Sequence, residues 1–124
     1  MTPTLHQIHP VLPVQNVLAA LFFYTQKLGF DIVFADDSKD PKYVGIKRDH
    51  IEIHLKWKDV KEWNYTIDRP MLRIVTQHVD ILHQEYNFKN VFPKETKVIK
   101  TEWGTKEFSF YDLYKNGLTF YQNS

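Results

Sequence analysis

Two imidazoles and a carboxylate fall at alternate positions in the stretch DHIEIHLKW, as His50, Glu52 and His54. In a β-strand that spacing directs all three side chains to one face. Imidazole nitrogens beside a carboxylate oxygen form a donor set for zinc and related divalent ions, and the same groups can act as a general base. Residues two apart on a strand have Cα atoms about 6–7 Å apart, so chelation by all three needs bent side chains and is not favoured. Other chemistries are poorly represented. The chain has no cysteine, its four glycines make no phosphate-binding loop, and its serines and tyrosines carry no triad or nucleophile-elbow spacing.

The elements that must carry these residues follow from periodicity. IHPVLPV alternates, and its prolines, which cannot donate ladder hydrogen bonds, mark an edge strand. Asn16 is an N-cap. Val17, Ala20, Leu21, Tyr24 and Leu28 form a helical stripe that Gly29 closes. FDIVFA is the next strand, and KYVGIKR with HIEIHLKW makes a hairpin about Arg48-Asp49. The polar segment KDVKEWNYTIDRP reads as a linker with one helical turn. The order then repeats: strand MLRIVT, helix HVDILHQEYNF, and strands KVIKTEW, KEFSFYDL and GLTFYQ, with turns at Gly104 and Lys115-Asn116-Gly117. One domain over 1–124 is therefore expected, with module one at about 5–57, a linker at about 58–69 and module two at about 70–122. Overlaying LPVQNV on IVTQHV sets Tyr24 over Tyr86 and His9 over Met71. Overlaying RDHIEI on KNGLTF sets Glu52 over Thr119.

Composition narrows the function classes. The 124 residues carry a formal charge of +1 with Lys and Arg scattered, which argues against a nucleic-acid partner. The opening MTPTLHQIHPVLPV shows no charged n-region or apolar h-region, and VLAALFFY is too short to span a bilayer, so neither a secretory signal nor a membrane segment is expected. Absence of cysteine agrees with a cytoplasmic location.

HPVLPVQNVLAALFFYTQKLGF resembles the opening module of the glyoxalase / bleomycin-resistance / extradiol-dioxygenase (vicinal oxygen chelate) superfamily, through Phe23, Tyr24, Leu28, Gly29 and Phe30. HVDILHQEY and EFSFYDLYKNGLTFYQ are similar to the helix start and closing strands of its second module. Likeness runs from about His9 to Gln122 and lies nearest the bleomycin-resistance branch. The resemblance implies an α+β fold of two βαβββ modules, whose curved mixed sheets surround a cleft completed by homodimerisation. An isolated four-stranded sheet with one helix leaves one face uncovered, which fits that expectation.

Metal-dependent members take four ligands from the first and last strands of both modules. Here the resemblance gives His9 and Glu52 in module one, but Met71 and Thr119 in module two. A thioether and a hydroxyl are poor ligands for such ions, and two protein ligands fall short of the usual three for catalytic zinc. No cofactor is therefore expected. The alternative is a divalent metal on His9 and Glu52, with His54 as a further donor, serving a glyoxalase-like lyase, isomerase or dioxygenase. A metal-free general base, Glu52 with His9 or His54, is a minor option. Glu52 needs a partner if buried, from His9, His54 or Arg73. His50 reads as solvated at the hairpin end, and His6, His78 and His83 as surface residues.

The leading expectation is a non-enzymatic protein that sequesters a small molecule, bleomycin-like in the sense of a flat aromatic body with a cationic tail. His9 and His54 would hydrogen-bond the ligand, Glu52 would supply charge complementarity, Trp103 and Tyr111 would stack, and Arg73 would lie in the same groove. Trp103 lies in EWGTKEF, similar to a groove-side element of drug-binding members. Trp57 and Trp63 are expected near the same rim.

Overall fold

Two four-stranded sheets, each with one helix on one face, are formed by the described residues. The computed structural model describes residues 1–63 and 71–124. Module one runs β1 (Val11–Val14), α1 (Val17–Phe22), β2 (Asp31–Ala35), β3 (Tyr43–Arg48) and β4 (Ile51–Trp57). Module two runs β5 (Met71–Val75), α2 (Val79–Phe88), β6 (Ile99–Lys100), β7 (Thr105–Tyr111) and β8 (Gly117–Asn123). The sheet orders are β1-β4-β3-β2 and β5-β8-β7-β6, each with one parallel pair (β1·β4 or β5·β8) among antiparallel ones. This is the two-module α+β architecture expected from the repeat. Of the linker, residues 58–63 are described and include one helical turn at Val60–Glu62; the remainder, with Pro70, lies outside the described residues. Among the described residues no helix is long and apolar enough to cross a membrane.

Local chemistry explains the helix ends. Asn16 Oδ1 accepts the Ala19 amide at 2.9 Å and opens α1. The helix then widens by a turn over Phe23–Lys27, where the Leu28 amide reaches back five residues to the Phe23 carbonyl. Gly29 at φ +81° ends it, and a side chain there would also meet the Arg48 guanidinium.

The helical stripe Val17, Ala20, Leu21, Tyr24 and Leu28 is buried, as the spacing predicts. It packs with Leu12, Val14, Val44, Ile46, Ile53 and Leu55 in one continuous core that extends to Phe108, Phe110, Leu118 and Phe120 of module two. The two matched tyrosines tie the modules together. Tyr24 donates to Asp112 Oδ2 at 2.8 Å, and Tyr86 donates to the Leu28 carbonyl at 2.9 Å. Burial, reinforced by the neighbouring Asp112 carboxylate, holds the Tyr24 phenol well above its ordinary pKa.

Several expectations change. The first hairpin turns on Asp49-His50, since Arg48 pairs with Ile51. Gly117 begins β8, and the KVIKTEW strand shrinks to Ile99–Lys100. Trp57 closes β4, at the end of the strand HIEIHLKW. His83 is half-buried: its Nε2 lies 2.8 Å from the Thr96 carbonyl and its ring stacks on Phe92. His50 and His78 are exposed as expected.

The overlay of the closing strands also shifts. Leu12 pairs with Leu55, and its counterpart Ile74 pairs with Phe120. Leu55 therefore stands over Phe120, Glu52 over Gly117 and His54 over Thr119, two residues from the overlay read in sequence. The cause is loop length: two residues join β3 to β4, whereas Asp112 to Asn116 join β7 to β8. Aligning the turns by sequence misaligned the strands behind them.

Candidate functional site

Strand alternation sends Leu12 and Val14 to the helix and leaves His9 and Val11 on the opposite, uncovered face. In β4 it buries Ile53 and Leu55 and turns Glu52 and His54 to that same face. The parallel register of β1 on β4 sets Val11 beside His54, and continuing it brings His9 over Glu52.

Three of the six predicted groove residues thus come together. His54 Nε2 lies 2.7 Å and His9 Nε2 3.6 Å from Glu52 Oε2, and the two imidazoles are 4.7 Å apart at their centroids. The hydrogen bond to His54 holds the Glu52 carboxyl below its ordinary pKa, with His9, His54 and Lys47 adding attraction for the charged form. His9 Nε2 also lies 2.8 Å from Gln7 Oε1.

Sequence reasoning missed the residues that frame this cluster. The Tyr43 hydroxyl lies 2.9 Å from His54 Nδ1, completing a Tyr43–His54–Glu52 chain of hydrogen bonds. Phe34 packs edge-on to the His54 ring, with centroids 5.1 Å apart, and covers Gly45, where any side chain would collide with its ring. Counting back along the hairpin from its two-residue turn would have set Gly45 opposite His54 and brought Tyr43 to the same face.

The other three predicted residues belong to module two. Arg73 donates to Glu107 Oε2 at 3.0 Å, and its guanidinium lies 4.4 Å over the Tyr121 ring. Thr105 donates to the same carboxylate oxygen at 2.8 Å. Together these bonds, with Arg73 dominant, hold the buried Glu107 carboxyl below its ordinary pKa. Tyr111 ends β7 and Trp103 lies in the β6–β7 turn, both well exposed. Glu107 itself carried only a weak signal, as the charged member of the Glu107, Ser109, Tyr111 alternation.

Glu107 yields a pH prediction. A depressed folded pKa contributes stability that is present above the unfolded value, about 4.3, and is lost as pH falls through the folded value. The stability difference between wild type and Glu107→Gln should therefore narrow between about pH 5 and pH 3, read by urea unfolding at several pH values. A difference that stays constant over that range would show the ion pair to be inactive.

As to a metal ion, module one presents three donors of suitable chemistry, with their ligand atoms all within 4.8 Å of one another. Module two presents Met71 lying across bare Gly117, its sulfur accepting from Thr119 at 3.2 Å. Neither position there supplies an ionisable ligand. A separate open cavity of about 730 Å³ lies between the β3–β4 turn and α2, bordered by Ile51, Val75, Ile81 and Tyr86, and none of the three donors lines it.

No family model and no curated protein matches the chain. Solved structures do. A bleomycin-binding protein from bleomycin-producing Streptomyces verticillus, solved with copper(II)-bleomycin, is 22% identical, covers 99% of this chain and 100% of its own, and has a TM-score of 0.79. A bleomycin resistance determinant encoded on the transposon Tn5 is 16% identical, with coverage of 97% and 99% and a TM-score of 0.80. A glyoxalase-related enzyme from Clostridium phytofermentans is 16% identical, with coverage of 98% of each chain and a TM-score of 0.72. Both modules are spanned in every case, and this chain shares the fold of these bleomycin-binding and glyoxalase-related structures.

Proposed function

We propose that the protein binds and sequesters a small organic molecule on the helix-free faces of its sheets, breaking no bond. The observation that carries this reading is the build of the module-one face. A polar chain, Tyr43–His54–Glu52, is internally hydrogen-bonded and walled by the ring of Phe34. Few fixed polar groups amid flat apolar surface suit a planar, amphipathic ligand. Glu52 supplies negative charge for a cationic group. The module-two face adds the Arg73–Glu107 pair, the Ser109–Thr119 hydroxyls and the exposed ring of Tyr111. Binding of this kind needs no metal.

Completion of the groove by a second copy belongs to the same reading. Val11, Phe34, Met71 and Val75 are exposed on these faces, and apolar surface of that kind is ordinarily covered. A dimer mass by light scattering is the expected result.

Bleomycin is the first ligand to test, because structures of this fold bind it. Titration should give saturable quenching of the fluorescence of Trp57 and Trp103 at micromolar drug or below, weakened at least tenfold in Glu52→Gln. No quenching at those concentrations would remove bleomycin as the ligand.

A further inference from the structure

We propose that the cavity between the β3–β4 turn and α2 is a second binding site, which takes an amphipathic amine with its apolar body inside and its ammonium group at the rim. This site is separate from the groove on the helix-free faces. Ile51 is in phase with buried Ile53 and Leu55 on β4, and Ile74 and Phe120 are core residues, so the cavity lies on the helix side of the sheets. None of His9, Glu52, His54 and Arg73 is among its lining residues.

The space suits a small organic body. Its volume of about 730 Å³ is that of a small-molecule site. Ile74 and Phe120 close it at 9% and 4% exposure, whereas Ile81 of α2 lines it at 62% exposure and is still wetted. A ligand that covers such surface removes its own apolar area and the protein's from water together. Each methylene buried in this way tightens binding roughly fourfold.

The rim sets the charge of the ligand. Among the described lining residues Arg48 is the one fixed cation, and its guanidinium is already engaged. It donates to the Leu28 carbonyl at 2.7 Å and to the two oxygens of Glu85 at 2.7 and 3.1 Å. Asp49, in the β3–β4 turn, lies 3.9 Å from Arg48 Nε and is well exposed. One guanidinium therefore faces two carboxylates, and a negative charge is left unbalanced at the edge of an apolar hollow. A carboxylate oxygen has room for a second hydrogen bond, so an ammonium can bond to Glu85 or Asp49 while Arg48 stays in place. An anionic ligand would have to compete with Glu85 for Arg48. His50 and His78, both exposed on the same rim, add acceptors in their neutral form.

Octylammonium is the probe, titrated into full-length protein with isotope-labelled isoleucine and valine methyl groups and followed by nuclear magnetic resonance. Saturable shifts of the Ile51, Ile74 and Ile81 methyls are expected at sub-millimolar concentration, with Val11 on the helix-free face unmoved. The readout therefore stands whether or not bleomycin binds in the groove. Octanoate should bind at least tenfold more weakly, and so should hexylammonium, which lacks two methylenes. Ile81→Lys places a cation at an exposed helix position and should weaken octylammonium at least tenfold. Glu85→Gln releases Arg48 and should reverse the order of octylammonium and octanoate. Asp49→Asn suits the left-handed backbone at φ 52° and should weaken octylammonium about threefold. Circular dichroism identifies any variant that fails to fold, and Asp49→Asn, in an exposed turn, keeps the charge test open if Glu85→Gln does so. Absence of saturable shifts, shifts confined to Val11, equal affinity for octanoate, or full affinity in folded Ile81→Lys would overturn the proposal.

Discussion

Asp112→Ala should lower unfolding stability by about 2–4 kcal/mol, although the residue lies in a loop. Its side chain is buried and gathers four donors: the Tyr24 hydroxyl at 2.8 Å, the Tyr114 amide at 2.7 Å, and the Asn116 amide and Nδ2 at 2.9 and 3.0 Å. Removing the carboxylate leaves the phenol of Tyr24, itself 1% exposed, without an acceptor. An unmade bond on a buried polar group forfeits its hydration with nothing gained in return. Tyr24→Phe removes only one of the four donors and should cost nearer 1 kcal/mol. Asn116 Nδ2 also donates to the Pro13 carbonyl of module one, so this loop holds both modules in place. Urea unfolding of the two single variants and the double variant measures the coupling. An Asp112→Ala protein within about half a kcal/mol of wild type would show the network to be solvated.

Phe108→Ala carries the second large effect, about 3–5 kcal/mol, as expected for truncating a large buried ring. Phe108 is 2% exposed and lies among Phe92, Phe110 and Phe120, with centroids 5.6–6.2 Å away, and edge-on to Tyr86 and His83. Strand register makes Val44 its counterpart in module one, where the matching layer of Val44, Ile46, Ile53 and Leu55 is aliphatic. Val44→Ala removes far less volume and should cost correspondingly less. Because the aromatic layer backs the sheet that carries Arg73 and Tyr111, folded Phe108→Ala protein should also bind ligand more weakly. Thermal unfolding of the pair checks the asymmetry; equal losses at both positions would contradict it.

The module repeat, the helix stripes and the outward direction of Glu52 and His54 were legible in the chain, because they depend on local periods of 3.6 and 2. Equivalence of Tyr24 with Tyr86 was legible too, since one spacing of apolar residues generates both helices. Partner identity was not. Whether His9 reaches Glu52 depends on parallel register between strands some forty residues apart, and no local pattern encodes it. The same limit displaced Glu52 from Gly117 to Thr119 in the overlay, because the two hairpins differ in loop length. Tyr43 entered the site only through its hairpin, and Asp112 reached the core only through contact between modules. Sequence by itself determined which faces exist and what each one carries. Tertiary structure decided which groups on those faces meet, since side-chain separations of an ångström or two depend on how strands pair across long stretches of chain.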